Sequence, residues 1–373
     1  MTKKKIIIMS GSGNTVVWFR LELIKEFLNR SYEVYVLAPD INSELKPRLD
    51  DLGAHFIYIN LSRKSLNPIG FLHSIYSIFL IIREIRPNLI FVYTFKAILV
   101  AAFASFFLRK IKLFSFITGR GHIFESDTGF KKVIKFISVR ALRIAANFNE
   151  TFIFQNPDDK RLFENEKIIS NHRSAMVSGS GVNLDLFQPT PLPDTPVFLC
   201  IARLLKSKGL IEYAESAKLV RKEIPNARFI LYGYADQHED SIDELEVRDS
   251  WFKKYGIEYR GYTNDPAHAI SECSTFVLLS YQEGTPRVVL EAMAMGRPII
   301  TTDAPGCRET VINGFNGFQV PIKNSVKASQ KMLNIVRDDL TKEYGLNSRN
   351  LCKQKFDVHS VNADLLKIMN VIF

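Results

Sequence analysis

Two doubly wound α/β domains in tandem are what this sequence predicts, each a parallel sheet with helices on both faces. Three observations carry that expectation. Short apolar runs alternate with stretches of helical period, and the alternation breaks at one proline-rich segment and then restarts. The third is length: 373 residues are enough for two domains of ordinary size, each with its own core. Open sheets of this kind bind ligands beyond the carboxyl ends of their strands, so two of them facing each other form a cleft.

In the first domain, residues 1–186, the strand readings are Lys5–Met9, Glu33–Leu37, His55–Ile59, Leu89–Tyr93, Lys112–Ile117, Thr151–Phe154 and Ser174–Val177. Helical period fills the gaps, as in Val16–Leu28, where Leu21, Ile24 and Leu28 share a face. Four prolines between Gln188 and Pro196 mark a linker, placed at 187–196. The second domain, 197–356, opens with strand Val197–Ile201, helix Ile211–Glu223 and strand Arg228–Tyr232. An acidic helical stretch from His238 to Lys254 follows, then strand Ile257–Arg260 and a helix opened by Thr263-Asn264-Asp265-Pro266. Strands Ser274–Leu279 and Pro298–Thr302, a helix at Arg308–Ile312 and helical segments from Ser325 complete the pattern. The last helix, 357–373, has the first domain as its expected packing partner.

Composition narrows the function. A hydrophobic fraction of 46% with 24% charged residues is that of a soluble globular protein. Four cysteines without a C-x-x-C pair argue against a zinc site or disulfide framework and for a reducing compartment. The basic start, Lys3 to Lys5, leads into an apolar run too short for a signal peptide, so it reads as the first strand. Net charge is +10 and unevenly placed: residues 1–190 hold 26 Lys and Arg against 16 Asp and Glu, while the remainder holds 23 against 23. A basic half meets an anionic surface or substrate. Its cations are spread rather than packed into a nucleic-acid motif, which favours an anionic membrane over nucleic acid.

The uncharged runs Ser65–Ile82 and Ala97–Leu108 fall short of a membrane span and are expected as buried helices of the sheet. Phe130–Arg143 is different. Lys131, Lys132, Lys135, Arg140 and Arg143 flank Val133, Ile134, Phe136, Ile137 and Leu142, an interfacial pattern that an ordinary packed helix with a solvated basic edge also produces. Arg109, Lys110 and Lys112 add positive charge nearby.

The most informative stretch is Tyr281 to Pro298, after an apolar strand. Thr285 suits an N-cap, Pro286 the first helical position, and Gly296 with Pro298 the helix end. Glu283 then sits in the strand-to-helix turn, and Glu291 lies roughly 7 to 8 Å along the helix from Pro286 at 1.5 Å per residue. Between them is a helix N-terminus, which favours an anion. Two hydroxyl-binding carboxylates flanking a phosphate seat fit a nucleotide-sugar. After the first strand, Ser10-Gly11-Ser12-Gly13-Asn14 is a glycine-rich turn but not a full G-x-G-x-x-G.

The Tyr281–Pro298 segment resembles the donor-binding motif of retaining family-4 glycosyltransferases of the GT-B fold, with Glu283, seven residues and Glu291, and Gly284-Thr285-Pro286 after the first acid. The continuation from Pro298 to Glu309 is similar to that family, and Lys3–Asp40 resembles its N-terminal layout. The resemblance implies that Arg203 and Lys208, in Ile201–Gly209, bind the donor diphosphate, that Glu283 orients sugar hydroxyls and that Glu291 holds the ribose. It implies that Gly233 and Tyr262 lie near the nucleotide and Gly13 near sugar or phosphate. On the acceptor side it points to Gly119, Arg120 and His122, the last as a catalytic imidazole that relatives of the undecaprenyl-linked type frequently lack. Lys96 follows a strand and is the candidate for an acceptor phosphate. Asn183 stands where the family's Gly-Val-Asp turn has its acid. No D-x-D motif occurs, so neither metal nor other cofactor is expected.

The implied activity is transfer from a nucleotide-diphosphate sugar, UDP-linked, to an undecaprenyl-type lipid-linked saccharide, by a cytoplasmic protein peripheral at the inner face of the plasma membrane. Rival readings are a nucleotide-sugar epimerase or inverting transferase on the same fold, or a basic membrane- or nucleic-acid-binding protein with a vestigial site.

Overall fold

A computed structural model describes residues 3–61, 67–106, 108, 111–121, 124, 129–170, 173–236 and 239–371, with the backbone alone for residues 130 and 131. The chain divides into two compact units, Met1–Ser180 with Val361–Phe373, and Gly181–Ser360.

Among the described residues the first unit carries a seven-stranded sheet of order β3-β2-β1-β4-β5-β6-β7, every pairing parallel. The strands are β1 (Lys5–Met9), β2 (Glu33–Ala38), β3 (His55–Tyr58), β4 (Leu89–Tyr93), β5 (Lys112–Ile117), β6 (Thr151–Phe154) and β7 (Ser174–Met176). The Leu-Ile-Phe-Val-Tyr run of β4 is buried throughout, as a strand covered on both faces requires. Strand order reverses between β1 and β4, where Ile6 pairs Leu89 and Ile8 pairs Phe91. Helices α1 (Gly13–Asn29), α2 (Lys46–Asp50), α3 (Pro68–Ile85), α4 (Phe95–Ser105), α5 (Gly129–Ala146) and α6 (Pro157–Asn165) connect the strands. Right-handed crossovers running one way from β1 place α1 and α2 on one face, and those running the other way place α3, α4 and α5 on the opposite face. Two buried clusters match these layers, one containing Ile78, Val100 and Leu142, the other Val16, Ile24 and Leu49.

Helix ends follow local chemistry. Asn67 caps α3 by accepting from the Ile69 amide, Pro68 takes the first turn, and Arg86 stops the helix with φ of 52°. Asn156 caps α6 and accepts from the Asp159 amide at 2.8 Å. The expectation of two buried apolar helices holds for α4, whose Ala97, Ile98, Val100, Ala101 and Ala102 are buried. It fails for α3. Ile69 is 78% exposed and Leu72 64%, because the helix is apolar all round and covers the sheet with one side alone.

The second unit carries a six-stranded parallel sheet of order β10-β9-β8-β11-β12-β13 among the described residues. Its elements are β8 (Val197–Ile201), α7 (Leu210–Glu223), β9 (Arg228–Tyr232), α8 (Glu244–Tyr255), β10 (Ile257–Tyr259), α9 (Pro266–Ser271), β11 (Thr275–Leu278), α10 (Arg287–Ala294), β12 (Ile299–Thr302), β13 (Gly317–Val320), α11 (Ser325–Arg337) and α12 (Thr341–Lys355). Helix α13 (Val358–Ile368) ends the chain's regular structure, and its Val361, Leu365 and Leu366 join the α1 cluster of the first unit.

Three expectations change here. The acidic stretch from His238 becomes helical only at Glu244, where Asp243 accepts from the Leu245 amide (His238 itself is outside the described residues). The helix read at Arg308–Ile312 is a single 3-10 turn, Arg308–Thr310, since Val311 turns extended with φ of −129°. Edge strand β13 is an addition to the sequence reading. The proline-rich segment 188–196 lies inside the second unit, where buried Arg297 donates to the carbonyl of Thr190 at 2.9 Å and to its hydroxyl at 2.5 Å. All four cysteines are buried, and burial pushes each thiol up to about 12.

Candidate active site

Order in the second sheet reverses between β8 and β11, and Arg203, Lys208, Asp236 and Glu283 lie in the segments that follow β8, β9 and β11. The loop after β11 is fixed from both sides. Tyr281 donates its amide to the Ser207 carbonyl at 2.9 Å, and Glu283 donates its own to the Pro305 carbonyl at 2.9 Å. Gly306, beyond β12, makes the second approach possible. Its φ is +79°, and a Cβ there would lie 2.2 Å from the Glu283 carbonyl oxygen.

This clamp brings Lys208, in the 3-10 turn Lys206–Lys208, against the Glu283 carboxylate in an ion pair. The Ser280 hydroxyl donates to the same carboxylate oxygen at 2.8 Å, so the Glu283 head group is held by two donors. Arg203 pairs instead with Asp236 of the loop after β9, at 2.8 Å. Glu291 is buried inside α10 and accepts from Arg287 Nε at 2.9 Å. Burial pushes its carboxyl up, and the Arg287 guanidinium opposes that shift.

The start of α10 departs from the sequence reading by one residue. Pro286 is the N-cap and Arg287 the first helical residue, while the Thr285 hydroxyl donates to the Gly284 carbonyl at 3.0 Å. Pro286 itself is extended, with ψ of 107°, so the helix begins only after it. Gly296, with φ of +72°, ends the turn beyond the helix as expected. Gly284 and Pro286 are buried beside Glu283.

Gly233 is small for a packing reason, since a Cβ would lie 2.1 Å from the Ala202 carbonyl oxygen. The glycine thereby brings the loops after β8 and β9 together. Its amide donates to Gly261 at 2.8 Å, which places Tyr234 and Tyr262 edge to face, ring centres 5.5 Å apart and both exposed. Sequence reasoning missed Asp236, Arg287, Ser280 and Gly306. Arg287 was legible as a basic residue four before Glu291 on a helix. Asp236 was not, being 33 residues from Arg203.

The first unit gathers its candidate residues in the same way but without carboxylates at the reversal point. Gly11 donates its amide to the Thr94 hydroxyl at 3.1 Å, and the hydroxyls of Thr15 and Tyr93 are 3.2 Å apart. Gly13 donates to Asp40, to the carbonyl at 2.8 Å and the carboxylate at 3.0 Å, so its amide serves the fold. Lys96 lies in the first turn of α4, and burial lowers the pKa of its amine. Gly119 and Gly121 have φ of 129° and 63°, and the turn they make lays Gly121 against the Phe95 ring. Between them Arg120 reaches the buried Asp159 carboxylate at 3.5 Å. Burial raises that carboxyl, with Asn156 and Arg120 opposing. His122 lies outside the described residues. The Asn183 amide oxygen accepts from Asp185 at 2.9 Å and so shapes a turn.

Two parallel sheets of this order, the second with paired charges at its carboxyl edge, are those of the GT-B fold. It belongs to the family-4 glycosyltransferases: residues 195–338 match the family described as Glycosyl transferases group 1, and residues 5–156 match Glycosyl transferase 4-like. It is similar to the N,N'-diacetylbacillosaminyl-diphospho-undecaprenol alpha-1,3-N-acetylgalactosaminyltransferase of Campylobacter jejuni, 29% identical over 350 residues covering 90% of each chain. The capsular polysaccharide biosynthesis glycosyltransferase CapM of Staphylococcus aureus is 26% identical, with 99% of this chain and 98% of that one covered. Among solved structures, Anabaena Alr3699/HepE in complex with UDP and glucose superposes with a TM-score of 0.81 at 19% identity, covering 99% of this chain and 100% of that one.

Proposed function

We propose that this glycosyltransferase moves a sugar from a UDP-linked donor, with retention of anomeric configuration, onto an undecaprenyl-diphosphate-linked saccharide in cell-surface polysaccharide assembly. It works at the inner face of the plasma membrane and uses neither a metal ion nor another cofactor. The observation that carries this reading is Lys208 held against Glu283 at the strand-order reversal, beside the N-terminus of α10. The Campylobacter relative, which acts on a diphospho-undecaprenol substrate, supports the lipid-linked acceptor, and its α linkage is what retention gives from an α-linked donor. The HepE complex supports a UDP donor on this fold.

In this mechanism Lys208 and Arg203 exchange their protein carboxylates for diphosphate oxygens and stabilise the negative charge that builds as the glycosidic bond breaks. Attack is from the front face, and the leaving phosphate oxygen takes the proton of the acceptor hydroxyl. Glu283 orients sugar hydroxyls and Glu291 holds the ribose. Lys96, Gly119, Arg120 and His122 serve the acceptor. Glu283→Gln and Arg203→Ala are expected to abolish transfer while melting as the parent does, and parental activity in both overturns the site. An inverted anomeric proton coupling in the NMR spectrum of the product overturns retention. Labelled UDP-sugars that go untransferred, where another nucleotide's sugar is used, overturn the donor.

A further inference from the structure

The α3–α4–α5 face of the first unit is apolar where water should meet it. On α3 the exposed residues Ile69, Leu72, Tyr76 and Leu80 are spaced three, four and four apart, which is one stripe along the helix. On α5 a second stripe runs through Val133, Phe136, Ile137 and Ile144, with the Arg140 guanidinium 4.7 Å from the Phe136 ring centre. Both helices pack against α4, which is itself largely buried, so the two stripes border one outer surface. The opposite layer differs: of its large apolar residues, α1 exposes Phe19 alone among those described.

Charge selects the occupant. The α5 sequence from Gly129 to Ala146 holds five Lys and Arg and no acid. A second copy of this face would oppose like charges, and a nucleic acid would leave the stripes wet. The 18 residues of α3 are long and apolar enough to cross a bilayer, at mean hydropathy 1.3. Crossing is excluded by topology, because α3 joins β3 to β4 and both lie parallel in one sheet. A helix tied at both ends to one sheet lies along a membrane, not through it.

We infer that this surface docks on an anionic lipid bilayer, with the α3 and α5 stripes entering the interface and the α5 cations on the headgroups. The inference rests on the membrane-surface reading given above and names the surface that carries it. It takes the undecided Phe130–Arg143 segment as interfacial and adds α3, which charge alone does not mark.

The test is co-sedimentation of the full chain with phosphatidylcholine vesicles, with and without phosphatidylglycerol, at low and high salt. The parent is expected to bind the anionic vesicles, less strongly in salt. Lys132→Glu with Arg140→Glu should lose on the order of a hundredfold in partition and flatten the salt dependence. Leu72→Ser with Tyr76→Ser should lose about tenfold or more with the salt dependence intact. Sugar transfer to a short-chain, water-soluble acceptor should be unchanged in both. No vesicle binding by the parent, parental binding by the α3 pair, a dimer through this face in sedimentation velocity, or binding to nucleic acid in place of vesicles each overturns the proposal. A parent that binds anionic vesicles yet transfers no sugar leaves the surface standing and removes the enzymatic reading instead.

Discussion

The points where strand order reverses in the two sheets have the same topology and opposite chemistry. Around β8 and β11 charge comes in matched pairs: Lys208 with Glu283, Arg203 with Asp236 of the loop after β9, and Arg287 with Glu291 within α10. Around β1 and β4 stand the hydroxyls of Thr94, of Thr15 in α1 and of Tyr93 at the end of β4, with the cation Lys96 in the first turn of α4. On the proposed mechanism a departing diphosphate takes over cations that acids hold in place until it binds, Lys208 from Glu283 and Arg203 from Asp236. A neutral hydroxyl acceptor needs positioning more than charge, which suits the first. Pairing also keeps these charges balanced within the second unit.

Removing the central cation should break this contrast most visibly. Lys208→Ala is expected to lower kcat by about 10²- to 10³-fold, since it deletes a donor to the departing phosphate, read by single-turnover transfer. The next effect concerns the clamp. Gly306→Ala places a methyl group against the Glu283 carbonyl at positive φ and should cost about 2–4 kcal/mol in urea unfolding. Gly314→Ala is its control, with φ of +78° and open space around it, and should cost about 1 kcal/mol. Equal losses would mean that the close approach to Glu283 matters little.

A smaller change tests the first unit. Thr94 has φ of 75° and its hydroxyl accepts from Gly11. Thr94→Ala loses that bond and keeps the unusual backbone, for about 1 kcal/mol of stability, with activity within roughly tenfold of the parent. A loss matching that of Lys208→Ala would overturn the division of labour between the units. The smallest expected effect is on Glu291. Its carboxyl is raised by burial, so it favours the fold while protonated, and that contribution falls as pH rises through the shifted value. Glu291→Gln should therefore melt at the parent's temperature or about 1–3 °C higher at neutral pH, the gap closing toward the carboxylate range, while donor binding weakens. A lower melting temperature at neutral pH would show that the acid serves the fold more than the ligand.

Strands were the most legible feature, because a strand buried on both faces is written as a continuous apolar run, as in Leu89–Tyr93 and Val197–Ile201. Strand β13 escaped because Gly317 opens it and Asn313 to Gly317 reads as a turn. The exposed side of α3 was illegible for the converse reason: where apolar residues run all round a helix, periodicity does not tell which side stays uncovered. Glu283, Glu291, Arg203 and Lys208 could be named from short motifs. That Lys208 pairs with Glu283, 75 residues away, and Arg203 with Asp236, 33 away, could not be read, since only the fold joins them.

The return of the chain to the first unit has a consequence for how the protein is made. Val361, Leu365, Leu366 and Met369 complete an apolar layer whose other members, Val16 and Ile24 among them, leave the ribosome first. Until Met369 has been made, that layer lacks its lid. A stop before Val361 is thus expected to yield sticky, chaperone-bound material rather than a working half, and a stand-alone version of this unit would need the segment Val361–Phe373 grafted on.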